Sequence, residues 1–233
     1  MGKEAVARFE DPGAEENDVI WKNLKKTNDL VSTWLLHKTV RIFSDIMLVL
    51  LIGDLHIPHR TYAIPPKFRK LLVPNKMQHV ISTGNLCTRE LYEYLRSLAS
   101  DVHVVRGDFD TDTKLPETKV VTVGKFRIGV CHGHQIVPWN DEKILDLLAR
   151  QLDVDVLVTG HSHVCSARER GHRLYIDPGS ATGAFSMIND GPVYPSFVLL
   201  DVQPEQIVCY LYRLIEEQVK VDRIIFKKSK ELA

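Results

Sequence analysis

The chain has 233 residues and carries 30 basic against 30 acidic side chains. Balanced charge gives no broad field to hold it on DNA or on an anionic membrane, and no run reaches the ~18 uninterrupted apolar residues of a spanning helix. The length suits one large domain, or a domain of about 180 to 190 residues with an appendage.

Residues 1–46 are the appendage, an N-terminal extension expected to be disordered or to form one loosely docked helix. "FEDPGAEEND" is acidic and turn-rich, and "VIWKNLKKTNDLVSTWLLHKTV" then places Ile20, Leu24, Val31, Trp34 and Leu35 on one helical stripe, with Asn17 or Asp18 as cap. The start "MGKEAV" lacks the hydroxyl residue of a myristoylation signal, and the first residues are too polar for a secretory one. Cys87, Cys131, Cys165 and Cys209 lie far apart with no CxxC pair, which suits buried thiols in a reducing cytoplasm.

At Met47 the texture changes. "MLVLLIGD" is apolar at every position until a glycine and an acid, the pattern of a strand buried on both faces with a site at its carboxyl end. "KFRKLLV" reads as a helix, "HVISTGN" as a strand, "RELYEYLRSLA" as a helix and "DVHVVRGD" as a third strand, so a parallel sheet with functional loops at one end is expected. "KVVTVGKFRIGVCHGH" is a hairpin, "DEKILDLLARQL" a helix and "VDVLVTGHSH" a strand. The runs "VCSARERGHRLYIDPGS", "SFVLLDV", "QIVCYLYRL" and "VKVDRIIF" are nearly all β. Helices and strands first and meandering strands later predict an α/β fold: a four-layer αββα sandwich of two mixed β-sheets flanked by helices, over residues 47–229, with a short tail at 230–233.

Five strand ends carry groups that bind metals: "GDLH" (Asp54, His56), "GN" (Asn85), "GDFD" (Asp108), "HGH" (His132, His134) and "GHSH" (His161, His163). Any single loop histidine is more often a surface or hydrogen-bonding residue than a ligand. The set is different, because a parallel core brings all five ends to one rim. Oxygen and imidazole donors together suit Zn, Mn or Fe in adjacent sites.

These stretches, with "IDPGSATG" as a closing loop, resemble the calcineurin-like metallophosphoesterases, especially their small phosphodiesterase branch. More narrowly, "MLVLLIGDLHIPHR", "KFRKLLVP", "TGNLCT", "VRGDFD", "HGHQIVPW" and "DPGSATGA" are similar to the retromer vacuolar-protein-sorting subunits that keep this fold. The resemblance implies up to two divalent ions, Zn or Mn, one held by Asp54, His56 and His163, the other by Asp108, His132 and His161, with Asn85 between them. It also implies departures from the enzymes. Asn85 and Asp108 exchange the enzymes' residue types, so the bridging position is a neutral amide and weak or partial occupancy is expected. Phe109 stands where the enzymes commonly have a histidine that protonates the leaving oxygen, a step that typically supplies ~10² to 10⁴ in rate.

The same resemblance implies an inactive scaffold rather than an enzyme. The rim around the metal site, with Val137 and Trp139, would engage the large α-solenoid subunit of retromer. An apolar face with Leu71, Leu199, Tyr212 and Val221 would take short hydrophobic segments from regulators such as Rab GTPase-activating proteins. In "SFVLLDV" both alternating sets are apolar, so the second face needs a cover, for which a helix of the same chain is the plain candidate. The expected location is the cytoplasm and the cytoplasmic face of the endosome membrane, held peripherally, with no nucleic-acid partner and no membrane insertion. The competing readings are an active metal-dependent phosphodiesterase or phosphatase, and metals that only tie the rim loops together.

Overall fold

The computed structural model describes residues 47–228. The expected N-terminal helix and its cap lie outside the described residues, as does the tail. In chain order the elements are β1 (Met47–Ile52), α1 (Pro66–Leu71), β2 (His79–Ser82), α2 (Arg89–Leu98), β3 (Asp101–Val104), β4 (Thr118–Val123), β5 (Phe126–Cys131), α3 (Glu142–Gln151), β6 (Val156–Val158), β7 (Ser166–Arg170), β8 (Arg173–Asp177), β9 (Ser196–Val202), β10 (Gln206–Ile215) and β11 (Gln218–Lys227).

Two mixed sheets form, ordered β11-β10-β9-β1-β2-β3 and β4-β5-β6-β8-β7. The apolar run of β1 sits centrally in the first, parallel to β2 on one side and antiparallel to β9 on the other. Successive side chains of a strand point to opposite faces. Val49 and Leu51 therefore enter the core between the sheets, while Leu50 and Ile52 face the helices. The inter-sheet core also takes Ile81, Val121, Ile128, Val156, Ile176, Val198 and Phe226.

Helices α1 and α2 cover the outer face of the first sheet through Phe68, Leu95 and Leu98. Helix α3 covers the second through Leu145 and Ala149 against Leu157 and Tyr175. The four layers are those expected from the sequence. Local chemistry sets the helix starts. Pro66 supplies the fixed φ of a first helical turn, the Thr88 hydroxyl accepts from Leu91 N–H, and the Asp141 carboxylate accepts from Lys143 and Ile144 N–H.

The runs expected to meander do so in part: β7 pairs antiparallel with β8, and β9, β10 and β11 pair antiparallel in succession. In the second sheet, however, β5, β6 and β8 run parallel, and only its edge strands β4 and β7 are antiparallel. Both sheets thus offer three parallel strands whose carboxyl ends carry loops. All four cysteines are free thiols; Cys131 and Cys209 are buried as expected, whereas Cys87 and Cys165 are only half-buried. Burial pushes each thiol up to about 12, so none is a ready nucleophile.

Candidate metal centre

The five predicted stretches converge. Asp54 and His56 follow β1, Asn85 follows β2, Asp108 follows β3, His132 directly follows β5, and His161 and His163 follow β6. Asp54, His56 and His163 form one group with ligand atoms within 4.8 Å of one another, and Asp108, His132 and His161 form a second. Asn85 stands between the groups, its Nδ2 lying 3.2 Å from Asp54 Oδ1 and 2.8 Å from Asp108 Oδ1.

The backbone is bent to bring these residues in. Asp54, His56, Asn85, His161 and His163 all have positive φ, between 47° and 71°, a conformation that costs non-glycine residues about 1–3 kcal/mol each and collects at functional sites. Gly107, before Asp108, must be glycine for space: a Cβ there would lie 2.1 Å from Asn85 Oδ1 and 2.6 Å from Asn85 N. Gly160, before His161, is constrained similarly by Asp54 Oδ2 at 2.7 Å.

The donor set fits cations, as its tautomers show. His132 Nδ1 donates to Thr83 O at 2.7 Å, and His163 Nδ1 donates to Ala184 O at 2.6 Å. Such outer partners leave Nε2 with the inward lone pair. His132 Nε2 then faces Asp108 Oδ1 at 3.0 Å, so a neutral imidazole would set two acceptors against each other. A proton or a metal ion must stand between them. The same holds for His163 Nε2, which lies 3.3 Å from both His56 Nε2 and Asp54 Oδ1.

Electrostatics record this demand. Burial works to lower His132, but the Asp54 charge and the Asp108 hydrogen bond raise it to about 9. Burial works to raise Asp54, yet the His132 charge and hydrogen bonds from His163 and His56 hold it well below its usual range. Asp108 is likewise held low against its burial, by His132 and Asn85. Burial depresses His56 and His161. The centre is built for positive charge, and Asp54 and Asp108 remain anionic within it.

Asn85 differs from the other six ligand candidates. Its Oδ1 accepts from Phe109 N–H at 2.8 Å and its Nδ2 points inward. An amide nitrogen has no lone pair to offer a metal, so Asn85 joins an ion only by turning its amide over and releasing Phe109 N–H.

Several residues that sequence reasoning missed hold this arrangement. Asp110 accepts from three backbone N–H groups: Asn85 at 2.7 Å, Gly107 at 2.8 Å and Cys87 at 2.9 Å. It ties the β2 and β3 loops together. Ser180 donates to Asp54 O at 2.7 Å and Thr182 to Leu55 O at 2.8 Å, so the "DPGSATG" loop braces "GDLH". Asp177, deeply buried and pushed up to about 7 by that burial, accepts from Ser162 Oγ and Gly179 N–H. The signal was a second aspartate after "GD" and a run of small hydroxyl residues, neither of which announces its backbone partners.

A cavity of about 280 Å³ opens over the centre, lined by His56, Asp108, Phe109, Trp139, His161 and Met187 among others. Phe109 is 40% exposed at its mouth, edge-on to His56 with ring centroids 5.0 Å apart. The Arg60 guanidinium sits between two rings, 4.5 Å from Phe109 and 4.8 Å from Phe185. On the rim Val137 is 72% exposed and Trp139 51%, the latter edge-on to His161. The second predicted face is divided. Leu71 and Val221 are 46% and 42% exposed, but Leu199 and Tyr212 are partly buried against the helix-side core, Tyr212 stacking on Phe197 at 4.7 Å. For Tyr212 the cover comes from the same chain, because α1 places Phe68 edge-on to the Phe197 ring on which Tyr212 stacks.

Comparison with known proteins agrees with this geometry. Residues 47–205 match the calcineurin-like phosphoesterase superfamily domain. Vacuolar protein sorting-associated protein 29 of Schizosaccharomyces pombe is 41% identical over 185 residues, covering 78% of this chain and 99% of that protein. The chain belongs to the Vps29 family. Wild-type Vps29 of Entamoeba histolytica, solved in complex with Zn2+, is 49% identical with a TM-score of 0.74, covering 78% of this chain and all of that one. Vps29 of Chaetomium thermophilum in complex with a cyclic peptide is 41% identical with a TM-score of 0.71, covering 79% and 99%. This Vps29 chain therefore keeps the phosphoesterase fold, with a donor set fit for divalent metal. Among its described residues, no helix is long and apolar enough to cross a membrane.

Proposed function

We propose that this chain is a docking subunit of retromer, peripheral on the cytoplasmic face of endosomes, in which the phosphoesterase fold is retained as a rigid scaffold and not as a hydrolase. The observation that carries this reading is Phe109. Bound Zn or Mn, up to two ions at partial occupancy, would polarise a phosphoryl oxygen and activate water. The chain must still deliver a proton to the leaving oxygen. Phe109 holds none, and the group beside it is the Arg60 guanidinium, stacked between the Phe109 and Phe185 rings. Asp54 and Asp108 stay anionic. The mouth can attract an anion through Arg60, but among the described residues that line it the imidazole and carboxyl groups are the ligand candidates themselves, His56, Asp108, His161 and His163.

The exposed rim at Val137 and Trp139 supports a first contact surface, for the large α-solenoid subunit. Leu71 and Val221, with the accessible parts of Leu199 and Tyr212, support a second, for short hydrophobic segments of regulators such as Rab GTPase-activating proteins. A few apolar anchors of this kind dominate the affinity of such contacts. The cyclic-peptide complex of the Chaetomium protein shows that a Vps29 fold accepts a peptide ligand. The complete ligand set favours a second reading, an active metal-dependent phosphodiesterase or phosphatase.

Capture experiments test the two-surface reading. Wild type, Val137→Asp and Leu71→Glu are presented to the purified carboxyl-terminal half of the solenoid subunit and to a regulator's hydrophobic peptide. Val137→Asp should lose the solenoid and keep the peptide, and Leu71→Glu the reverse. Full capture of both partners by both variants contradicts the proposal.

A further inference from the structure

Three metal-ligating side chains meet away from the centre, at the opposite ends of β2 and β3. His79 and Asp101 are register partners in that parallel pair, and His103 is two residues beyond Asp101 on the same strand. His79 Nδ1 lies 2.8 Å from Asp101 Oδ2, and His103 Nε2 lies 2.9 Å from the same oxygen. The two rings are stacked, with centroids 6.3 Å apart. The three donor atoms lie within 4.8 Å of one another, as in each half of the centre.

Their placement is unusual for polar residues. Alternation puts His79 on the face of Ile81, and Asp101 and His103 on the face of Val105, and both Ile81 and Val105 belong to the inter-sheet core. At the rim of this core the chain holds two imidazoles that are largely covered, His79 and His103, and a carboxylate, Asp101, whose side chain is 47% exposed. A purely hydrogen-bonded account leaves a loose end. Both imidazoles must donate to one oxygen, and His103 Nδ1 then remains a buried acceptor without a partner.

We propose that His79 Nδ1, His103 Nε2 and Asp101 Oδ2 form a separate binding site for a borderline divalent ion, of which zinc is the probe chosen. With metal–nitrogen and metal–oxygen bonds of about 2.0–2.2 Å, tetrahedrally set donor atoms lie roughly 3.3–3.6 Å apart. The two edges to Asp101 Oδ2, at 2.8 and 2.9 Å, reach that range by opening roughly 0.5 Å. The comparable edge within the centre, His132 Nε2 to Asp108 Oδ1, is 3.0 Å. Two imidazoles and one carboxylate select zinc, cobalt, nickel or copper over magnesium and calcium. Lys119 of β4 is near enough for its charge to act on His103 and opposes a dication, so this site fills after the centre. Occupied, it clips edge strand β3 to β2 at the rim of the core.

The test uses the full chain stripped of metal. Zinc retained after dialysis is counted by elemental analysis, and the histidine ring nitrogens are followed by NMR during zinc addition. Wild type should retain about one equivalent more than His103→Gln, and the ring signals of His79 and His103 should move at higher zinc than those of His132. Asp108→Asn should reduce zinc at the centre and leave the His79 and His103 response intact. Equal zinc in wild type and His103→Gln, or ring signals of His79 and His103 that ignore zinc, would show a hydrogen-bonded relay only and overturn the proposal. Should His103→Gln not fold, anomalous scattering at the zinc edge from wild-type crystals decides. A peak between the three donors supports the site and its absence rejects it.

Discussion

Replacing Asp110 by alanine removes the acceptor of three backbone donors at once. Asn85 and Gly107 are buried, and Cys87 is half-buried, so at least two N–H groups lose their partner where water reaches poorly. An unsatisfied buried donor costs about 1–3 kcal/mol, which gives about 2–6 kcal/mol for the pair, since Cys87 N–H can turn to solvent. For a domain of this size, at about 2–4 °C per kcal/mol, that lowers Tm by roughly 4–24 °C. The same loss loosens the loops that carry Asn85 and Asp108, and disturbing an outer partner of a metal ligand typically lowers affinity about 10- to 100-fold. Calorimetry with and without zinc, together with a zinc titration, reads both effects. Asp110→Asn keeps one acceptor oxygen and should fall between alanine and wild type. An Asp110→Ala chain with wild-type Tm and zinc affinity would refute the assignment of Asp110 as the brace of the centre.

The protonation of His132 makes zinc binding depend on pH. Without metal its imidazolium persists up to about pH 9, so zinc must displace a proton at neutral pH. Apparent affinity should rise up to about tenfold per pH unit and flatten above about 9; a flat titration from pH 6 to 9 contradicts this. The metal-free fold should respond in the opposite sense. Because the folded-state value is raised, the stability from the charged pair is complete below about 6.5 and is lost as pH rises through about 9, as urea unfolding at several pH values would read. On the apolar face, Tyr212→Ala removes a ring stacked on Phe197 and should cost about 2–4 kcal/mol of stability. Val221→Asp, on an exposed edge strand, should change stability by less than about 0.5 kcal/mol while weakening peptide capture; equal unfolding midpoints for the two variants would place Tyr212 wrongly in the packing.

The layered fold was legible because its patterns were strong. "MLVLLIGD" is apolar at every position, and burial of alternate residues into two different cores explains why. The ligands were legible because each follows a strand, usually after a glycine, and Gly107 and Gly160 show the steric reason for that pairing. What escaped depends on three-dimensional register. Asp110 works through backbone donors, which no side-chain pattern reports. His79 and Asp101 stand 22 residues apart and meet only because β2 and β3 pair in the observed register. The two-faced apolar pattern of β9 could be met by a helix or by a partner, and the sequence alone does not show that Leu199, with Tyr212 of β10, packs partly against the helix-side core. That β8 returns to pair parallel with β6 was hidden, because β7 and β8 read as a plain hairpin, which they also form.

Phe109 carries no proton for a leaving group, and hydrolysis of an aryl phosphate by the free, unmodified chain saturated with Mn or Zn measures the consequence most directly. Turnover should lie near the buffer-plus-metal background and rise in Phe109→His toward the ~10²-fold or more that a positioned acid supplies. Fast turnover by the unmodified chain, unchanged by Phe109→His, would contradict the scaffold reading.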